Sequence, residues 1–385
     1  MKIAVLIRRF ITTGGAERYA VEVTKRLART HEVHVLAQEW DHEPDGITLH
    51  RVPLLSVKPR AFNQWWFSSH TARIARQLGV DIIHTHERVT EFNVMNIHSG
   101  TFVGGLWGTH TDERKSGFRT WLKILTAPSV WAYMRLEKLH NSPARGRIWV
   151  ADSDMVKREV QHYYPIPDGR FFIAHSGVDA VEPDAATRRV QWRQKLGLGS
   201  DELVALFVGS EFRRKGLPAL LEAMALLKEK APRLVIVGGK DLAPYQNRVA
   251  ELGIAQRLIW AGRVSNVKDY YALADVFVLP TLSDPSPLAP LEAMAYGCAT
   301  IVSNGRYTGA AELIKNGEAI ILEDPRNATE IARAMGRLLN SQTRQEIARR
   351  GQELVREFTW DRTAAVIMEA IEKSHKERVG GAKPF

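Results

Sequence analysis

Short apolar runs, each followed by a polar turn and a stretch of helical spacing, recur along the whole chain. This alternation restricts the fold more than any other feature. Residues 2–7, 32–37, 81–86, 92–97 and 148–153 form one set of runs, and residues 203–209, 234–239, 258–264, 274–280, 300–302 and 319–322 form a second. Continuous apolar runs mark parallel strands covered on both faces. Between them, apolar residues recur at helical spacing, as at Ala20, Val21, Val23, Thr24 and Leu27, and at Leu217, Leu220, Leu221 and Met224. The pattern predicts an α/β protein of two Rossmann-like domains, each with a parallel sheet, facing across a cleft. A chain of 385 residues is long enough for both.

The single cysteine, Cys298, precludes an internal disulfide and points to a reducing compartment. It lies between a helix and a strand, so a buried structural role is expected. No Cys/His cluster has zinc spacing, and no metal site is expected. The apolar run after Met1 is short and ends at Arg8 and Arg9, unlike a signal peptide. No run approaches the roughly 20 apolar residues that cross a bilayer. The expected location is the cytoplasm. The net charge of +10 favours an anionic partner: nucleotide phosphates, an acidic lipid surface or nucleic acid.

The densest chemistry follows the apolar run at 274–280. It reads Asp284-Pro285-Ser286-Pro287-Leu288-Ala289-Pro290-Leu291-Glu292, then Ala293-Met294-Ala295-Tyr296-Gly297. A strand, a tight turn and a helix start make an anion site, because the first N–H groups of a helix lack internal partners. Asp284 and Glu292 bracket the turn. Carboxylates suit sugar hydroxyls and free N–H groups suit phosphates, so a nucleotide-sugar would satisfy both. An ordinary turn with a solvated Asp and Glu would read the same way.

Three further strand ends carry candidates. Gly14 and Gly15 follow the first run, where glycines admit a close ligand. His98 ends the run at 92–97, with His84 and His86 as weaker candidates, and any of them could instead be structural. Ser210-Glu211-Phe212-Arg213-Arg214-Lys215-Gly216 sets cations between a strand and a helix, which matches a diphosphate. Such a loop could also be simply solvated.

Residues 100–147 mix Phe102, Trp107, Phe118, Trp121, Trp131 and Tyr133 with Arg114, Lys115, Arg119, Lys123, Arg135, Lys138, Arg145 and Arg147. Rings beside cations suit an acidic membrane interface. A helical hairpin packed on the core is the competing reading.

The stretch from Asp284 to Glu292 resembles the carboxylate–seven residues–carboxylate signature of retaining glycosyltransferases with the GT-B fold, particularly family four. Two positions depart from it: Asp284 stands where the family usually has Glu, and Pro287 where it usually has Gly. Proline has no N–H to offer, whereas Leu288 and Ala289 keep theirs. Arg214 and Lys215 match the family's Arg-Lys-Gly phosphate loop. The form of that loop is closest to glucosyltransferases of the lipopolysaccharide core. Arg263 and Val264 hold the places that line the base, and His98 the place where some members contact the transferred sugar.

The resemblance implies a retaining, metal-independent transferase without a cofactor. It would move a hexose, with glucose from UDP-glucose as the expected donor, to a lipopolysaccharide-core or similar glycolipid. Arg214 and Lys215 would replace a cation at the leaving diphosphate, with Glu292 on ribose and Asp284 on sugar. The expected domains are 1–178 for acceptor and 179–358 for donor, with 359–385 as a helix crossing back to the first. The expected location narrows to the inner face of the cytoplasmic membrane. A nucleotide-sugar epimerase or hydrolase on the same fold is one alternative. A basic nucleic-acid-binding protein is another, although no nucleic-acid motif is present.

Overall fold

The computed structural model describes residues 1–55, 60–107, 117–239 and 241–380. Arg114 and Lys115 lie outside these residues, as do residues 381–385. The side chains of Arg119 and Lys123 also lie outside the description. The chain divides into two compact units, Met1–Gly177 with Trp360–Phe385, and Val178–Thr359.

The first unit contains β1 (Lys2–Leu6), β2 (Arg9–Phe10), β3 (Glu32–Ala37), β4 (Glu39–Trp40), β5 (Ile47–Arg51), β6 (Ile82–Thr85), β7 (Val94–Ile97), β8 (Ile148–Ala151) and β9 (Phe171–Ile173). Seven of them form one parallel sheet in the order β5-β3-β1-β6-β7-β8-β9, and β2 pairs with β4 alone. Ile3, Ala4, Val5 and Leu6 are fully buried, as expected of a strand covered on both faces. The helix Trp360–Val379 belongs to this unit. Trp360 meets Tyr19 edge-on at 5.8 Å, Thr363 Oγ1 donates to the His175 carbonyl at 2.7 Å, and Asp361 pairs with Arg26 and Arg29.

The second unit contains β10 (Val204–Val208), β11 (Arg233–Val237), β12 (Leu258–Gly262), β13 (Val276–Leu279), β14 (Ala299–Ser303) and β15 (Ile320–Leu322). They form a six-stranded parallel sheet in the order β12-β11-β10-β13-β14-β15. Cys298 is buried beside this sheet, and burial pushes its thiol up to about 12, so it is an inert structural residue.

The sequence pattern missed strand β5 and the helices Arg60–Leu78 and Ala185–Lys195. The second helix hides because arginines carry much of its docking, beside a single large apolar contact of Trp192 with Tyr270 at 5.2 Å. Arg189 donates to the carbonyls of Ala272, Leu273 and Ala274 and pairs with Asp275, while buried Arg193 donates to the Leu273 carbonyl. Those carbonyls close the helix Lys268–Leu273, whose last acceptors need external donors. Packing shared between polar groups and one ring leaves too few apolar positions to show a period.

Candidate active site

Each sheet has a point where the strand order reverses. In the second unit it lies between β10 and β13, and in the first between β1 and β6. Loops leaving neighbouring strands there diverge, which opens a crevice at the carboxyl ends of the strands.

In the second unit the crevice brings the cationic loop and the acidic turn together. Lys215, after β10, is ion-paired with Asp284, after β13. Arg214 donates to the Ser283 carbonyl and pairs with Glu211 at 3.0 Å. That contact holds the Glu211 carboxyl below its usual range. The Arg214 carbonyl in turn accepts from Leu282 N at 2.8 Å and Thr281 Oγ1 at 3.2 Å. Gly216 makes this fit possible. Its φ is +81°, and a Cβ there would lie 1.8 Å from the Pro280 carbonyl oxygen. Asp284 is also held from its other side: its N–H donates to Tyr307 O at 2.8 Å and its carbonyl accepts from Gly309 N at 3.1 Å.

Pro287 caps the helix Leu288–Ala295 without a side-chain hydrogen bond. The N–H groups of Leu288 and Ala289 have no partner among the described residues, and Pro290 has none to offer. Glu292 is buried one turn further on and accepts from the Tyr271 hydroxyl at 2.9 Å. Arg263 follows β12 and is exposed, while Val264 packs against the unit's core. Arg214, Lys215, Asp284, Leu288, Ala289 and Glu292 are therefore one constellation, with Arg263 and Val264 two strands away from β10.

Gly14, Gly15 and His98 belong to the first unit. Gly14 caps the helix Gly15–Leu27 with φ 105° and ψ 153°, a backbone that an L side chain rarely adopts. Glu17 folds over this cap, since a Cβ on Gly14 would lie 2.5 Å from its carboxylate. Thr12 N and Oγ1 both donate to Asp41 at 2.9 Å, which anchors the loop before the glycines.

Three adjacent strands, β6, β7 and β8, each deliver the residue just past their ends: His86, His98 and Asp152. His98 Nδ1 lies 2.7 Å from an Asp152 carboxylate oxygen, and His98 Nε2 lies 2.7 Å from His86 Nδ1. Both nitrogens of His98 are thus engaged inside the unit. The free nitrogen of the array is His86 Nε2, which is buried and unpartnered. Behind it, His84 Nε2 donates to Asn96 Oδ1 at 2.7 Å, and Asn96 Nδ2 donates to the Tyr19 hydroxyl at 3.1 Å. Burial pushes His84 down to about 4 and His86 well below the usual histidine range, so both rings are neutral at pH 7.

His86, His98 and Glu17 line a cavity of about 750 Å³, together with Arg8, Glu87, Arg88 and Glu137. Glu137 is buried and accepts from Phe102 N at 2.6 Å and Val103 N at 3.1 Å, at the start of the helix Phe102–Trp107.

Two parallel-sheet units with reversed strand order match solved glycosyltransferases. The crystal structure of WaaG, a glycosyltransferase involved in lipopolysaccharide biosynthesis, superimposes with a TM-score of 0.79 at 20% identity, covering 98% of this chain and 100% of that one. Residues 13–182 match the model of glycosyltransferase family 4, and residues 188–354 that of glycosyl transferases group 1. The chain is a GT-B glycosyltransferase of the family-four kind. A glycosyltransferase of Methanocaldococcus jannaschii, MJ1607, is 26% identical to it, over 91% of this chain and 92% of its own length. The lipopolysaccharide glucosyltransferase WaaG of Escherichia coli is 24% identical over 77% of this chain and 79% of its own. The Anabaena protein HepE, solved in complex with UDP-glucose, has the same fold at a TM-score of 0.70 and 15% identity, covering 97% and 98%.

Three residues of this glycosyltransferase escaped the sequence reading: Tyr271, Asp152 and Glu137. Tyr271 and Glu137 sit inside helices with no motif around them. Asp152 does carry a signal, because it ends an apolar run just as His98 does.

Proposed function

We propose that this glycosyltransferase moves a hexose, with retention, from a nucleotide-diphosphate sugar to a hydroxyl of a lipopolysaccharide-core or similar glycolipid, with UDP-glucose as donor. One observation carries the reading. Arg214, Lys215, the Leu288 and Ala289 amides, Asp284 and Glu292 converge at one strand-order reversal. Cations and amides complement a diphosphate, and carboxylates complement ribose and hexose hydroxyls. Arg214 and Lys215 would meet the charge that grows on the leaving diphosphate. Glu292 would hold the ribose, Asp284 the sugar, and Arg263 with Val264 the base. Gly14 and Gly15 would admit the donor closely, and His98 would act on the sugar side through the array it anchors. No cofactor enters this scheme. The likeness to WaaG supports the acceptor class, and HepE with its UDP-glucose supports the donor class.

Thermal unfolding with UDP, GDP and ADP, and with their glucose conjugates, tests the donor assignment. A ligand of the native state raises the midpoint by mass action. UDP and UDP-glucose should raise it most. A preference for GDP or ADP would reassign the base, and indifference to all would remove the nucleotide site.

The same reading includes work at the cytoplasmic membrane surface, without spanning it. Among the described residues no helix is long and apolar enough to cross a membrane. The aromatic segment divides in two. Phe102 and Tyr133 stack at 5.0 Å within the unit, whereas Phe118, Trp121, Leu122 and Leu125 are exposed along the helix Gly117–Thr126. Their spacing places them on one face. Trp131, Arg135 and Lys138 are exposed on the next helix, Pro128–His140. An apolar face beside cations, on a chain of net charge +10, suits an acidic lipid surface carrying a lipid-linked acceptor.

A further inference from the structure

The cavity of the first unit is rich in cations, yet each one among its described lining residues is already matched. Arg8 pairs with Glu87 at 2.9 Å, Arg9 with Glu39 at 3.4 Å and Glu17 at 3.7 Å, and Arg88 with Glu137 at 3.3 Å. All seven groups line the same cavity, and the carboxylates outnumber the guanidinium groups by one. Among the described residues, a phosphate placed there would face carboxylates with no unmatched positive charge to offset them. A sugar hydroxyl meets the opposite situation, because a carboxylate oxygen retains further lone pairs after one ion pair.

The histidine array points the same way by a separate route. A carboxylate only accepts, so with the His98 ring in its neutral form Nδ1 carries the hydrogen that goes to Asp152. His98 Nε2 is then an acceptor, and His86 Nδ1 must donate to it. This leaves His86 Nε2 as a bare lone pair with no partner, on a cavity-lining ring more than nine-tenths buried; the atom itself is covered, so a ligand meets it only as the cavity wall shifts. A buried acceptor without a donor is costly until a ligand supplies one. A hydroxyl can supply that hydrogen, and a phosphate dianion cannot.

We infer that this cavity selects an uncharged, hydroxyl-rich sugar over its phosphorylated counterpart, with Glu87 and Glu39 as the charge-selecting residues and His86 Nε2 accepting from a sugar hydroxyl. The inference rests on the glycosyl-transfer reading only in taking the ligand to be a sugar. It names the acceptor class: a neutral glycosyl terminus rather than a phosphorylated one.

The test uses the full-length protein with histidine imidazoles labelled with nitrogen-15. The free protein should show His86 protonated at Nδ1 and bare at Nε2. Methyl β-glucopyranoside should shift the His86 Nε2 resonance, and glucose 6-phosphate should bind at least about tenfold more weakly. Glu87→Gln and Glu39→Gln keep the size and remove the charge, and should narrow that gap by leaving Arg8 without its carboxylate and Arg9 with Glu17 alone. Equal or tighter binding of glucose 6-phosphate to the parent protein overturns the inference. So does a hydrogen on His86 Nε2, or a His86 signal indifferent to both sugars. UDP-glucose turnover, followed in parallel, keeps the two readings apart. Turnover with no charge selection defeats only the inference, and charge selection with no turnover defeats only the transfer reading.

Discussion

Lys215 and Asp284 form an ion pair at the strand-order reversal of the second sheet, with side chains only 14% and 11% exposed. The pair joins the cationic loop after β10 to the acidic turn after β13, and so it sets the shape of the crevice before any ligand arrives. Removing one partner strands a buried charge, which costs about 3–5 kcal/mol. Lys215→Ala and Asp284→Ala should each lower the urea midpoint substantially, and the double variant by less than their sum. Additive losses would mean that the two side chains do not share their charge.

Arg214 is tied to Glu211 and the Ser283 carbonyl, so it is pre-aimed rather than solvated. Arg214→Ala should lower turnover by about two to three orders of magnitude, as loss of a preorganised charge contact does. Arg214→Lys should recover little, because one ammonium cannot make both contacts. Single-turnover rates check this, and a loss of tenfold or less would place Arg214 outside the reaction centre.

Glu292 and Tyr271 share a hydrogen bond at 2.9 Å in the unit's interior. Glu292→Ala should weaken UDP binding by about 1–3 kcal/mol, and Tyr271→Phe by about 0.5–1.5 kcal/mol through lost orientation of the carboxylate. Calorimetric titration with UDP reads both. Unchanged affinity in a folded Glu292→Ala protein would remove this residue from the donor site.

The buried histidines make stability depend on pH. Burial holds His84 near about 4, His140 near about 3 and His86 well below its usual range. The unfolded chain takes up these protons near pH 6.5, whereas the folded protein resists them until much lower pH. Their stabilising contribution is therefore complete above pH 6.5 and declines as pH falls toward 4. Each adds a slope of about 1.4 kcal/mol per pH unit within that window. Urea midpoints between pH 7 and 4.5 should fall accordingly, and a flat profile would show that these rings are not held neutral.

The exposed face of the helix Gly117–Thr126 predicts reversible binding to vesicles of acidic lipid. Binding should weaken with salt, which screens the cations, but should not vanish, because the rings remain. Replacing Trp121, Leu125 and Trp131 by Ser should abolish the salt-resistant part. Co-sedimentation of the variant equal to that of the parent would return this face to an ordinary surface.

What the sequence made legible is what is local. The strand ends that carry Arg214, Lys215, Asp284 and His98 stood out because an apolar run stops at a polar group and a helix begins. The pairings did not stand out, since they depend on strand order. Lys215 and Asp284 are 69 positions apart, and His98 and Asp152 are 54 apart. Only the placing of β10 beside β13, and of β7 beside β8, brings them together. His98 was visible as a residue, but its two engaged nitrogens were not, and so His86 looked the weaker candidate. The helix Ala185–Lys195 was invisible for a related reason, since much of its packing runs through arginine and carbonyl groups.

The most direct test of glycosyl transfer follows the sugar itself. The protein is incubated with UDP-glucose carrying a labelled glucose and with lipopolysaccharide truncated in its core, and the label and its anomeric configuration are traced by NMR. The account predicts label in the lipid fraction as an α-linked glucose, in step with UDP release. Label recovered only as free glucose, or left on the nucleotide while donor binds, would contradict it.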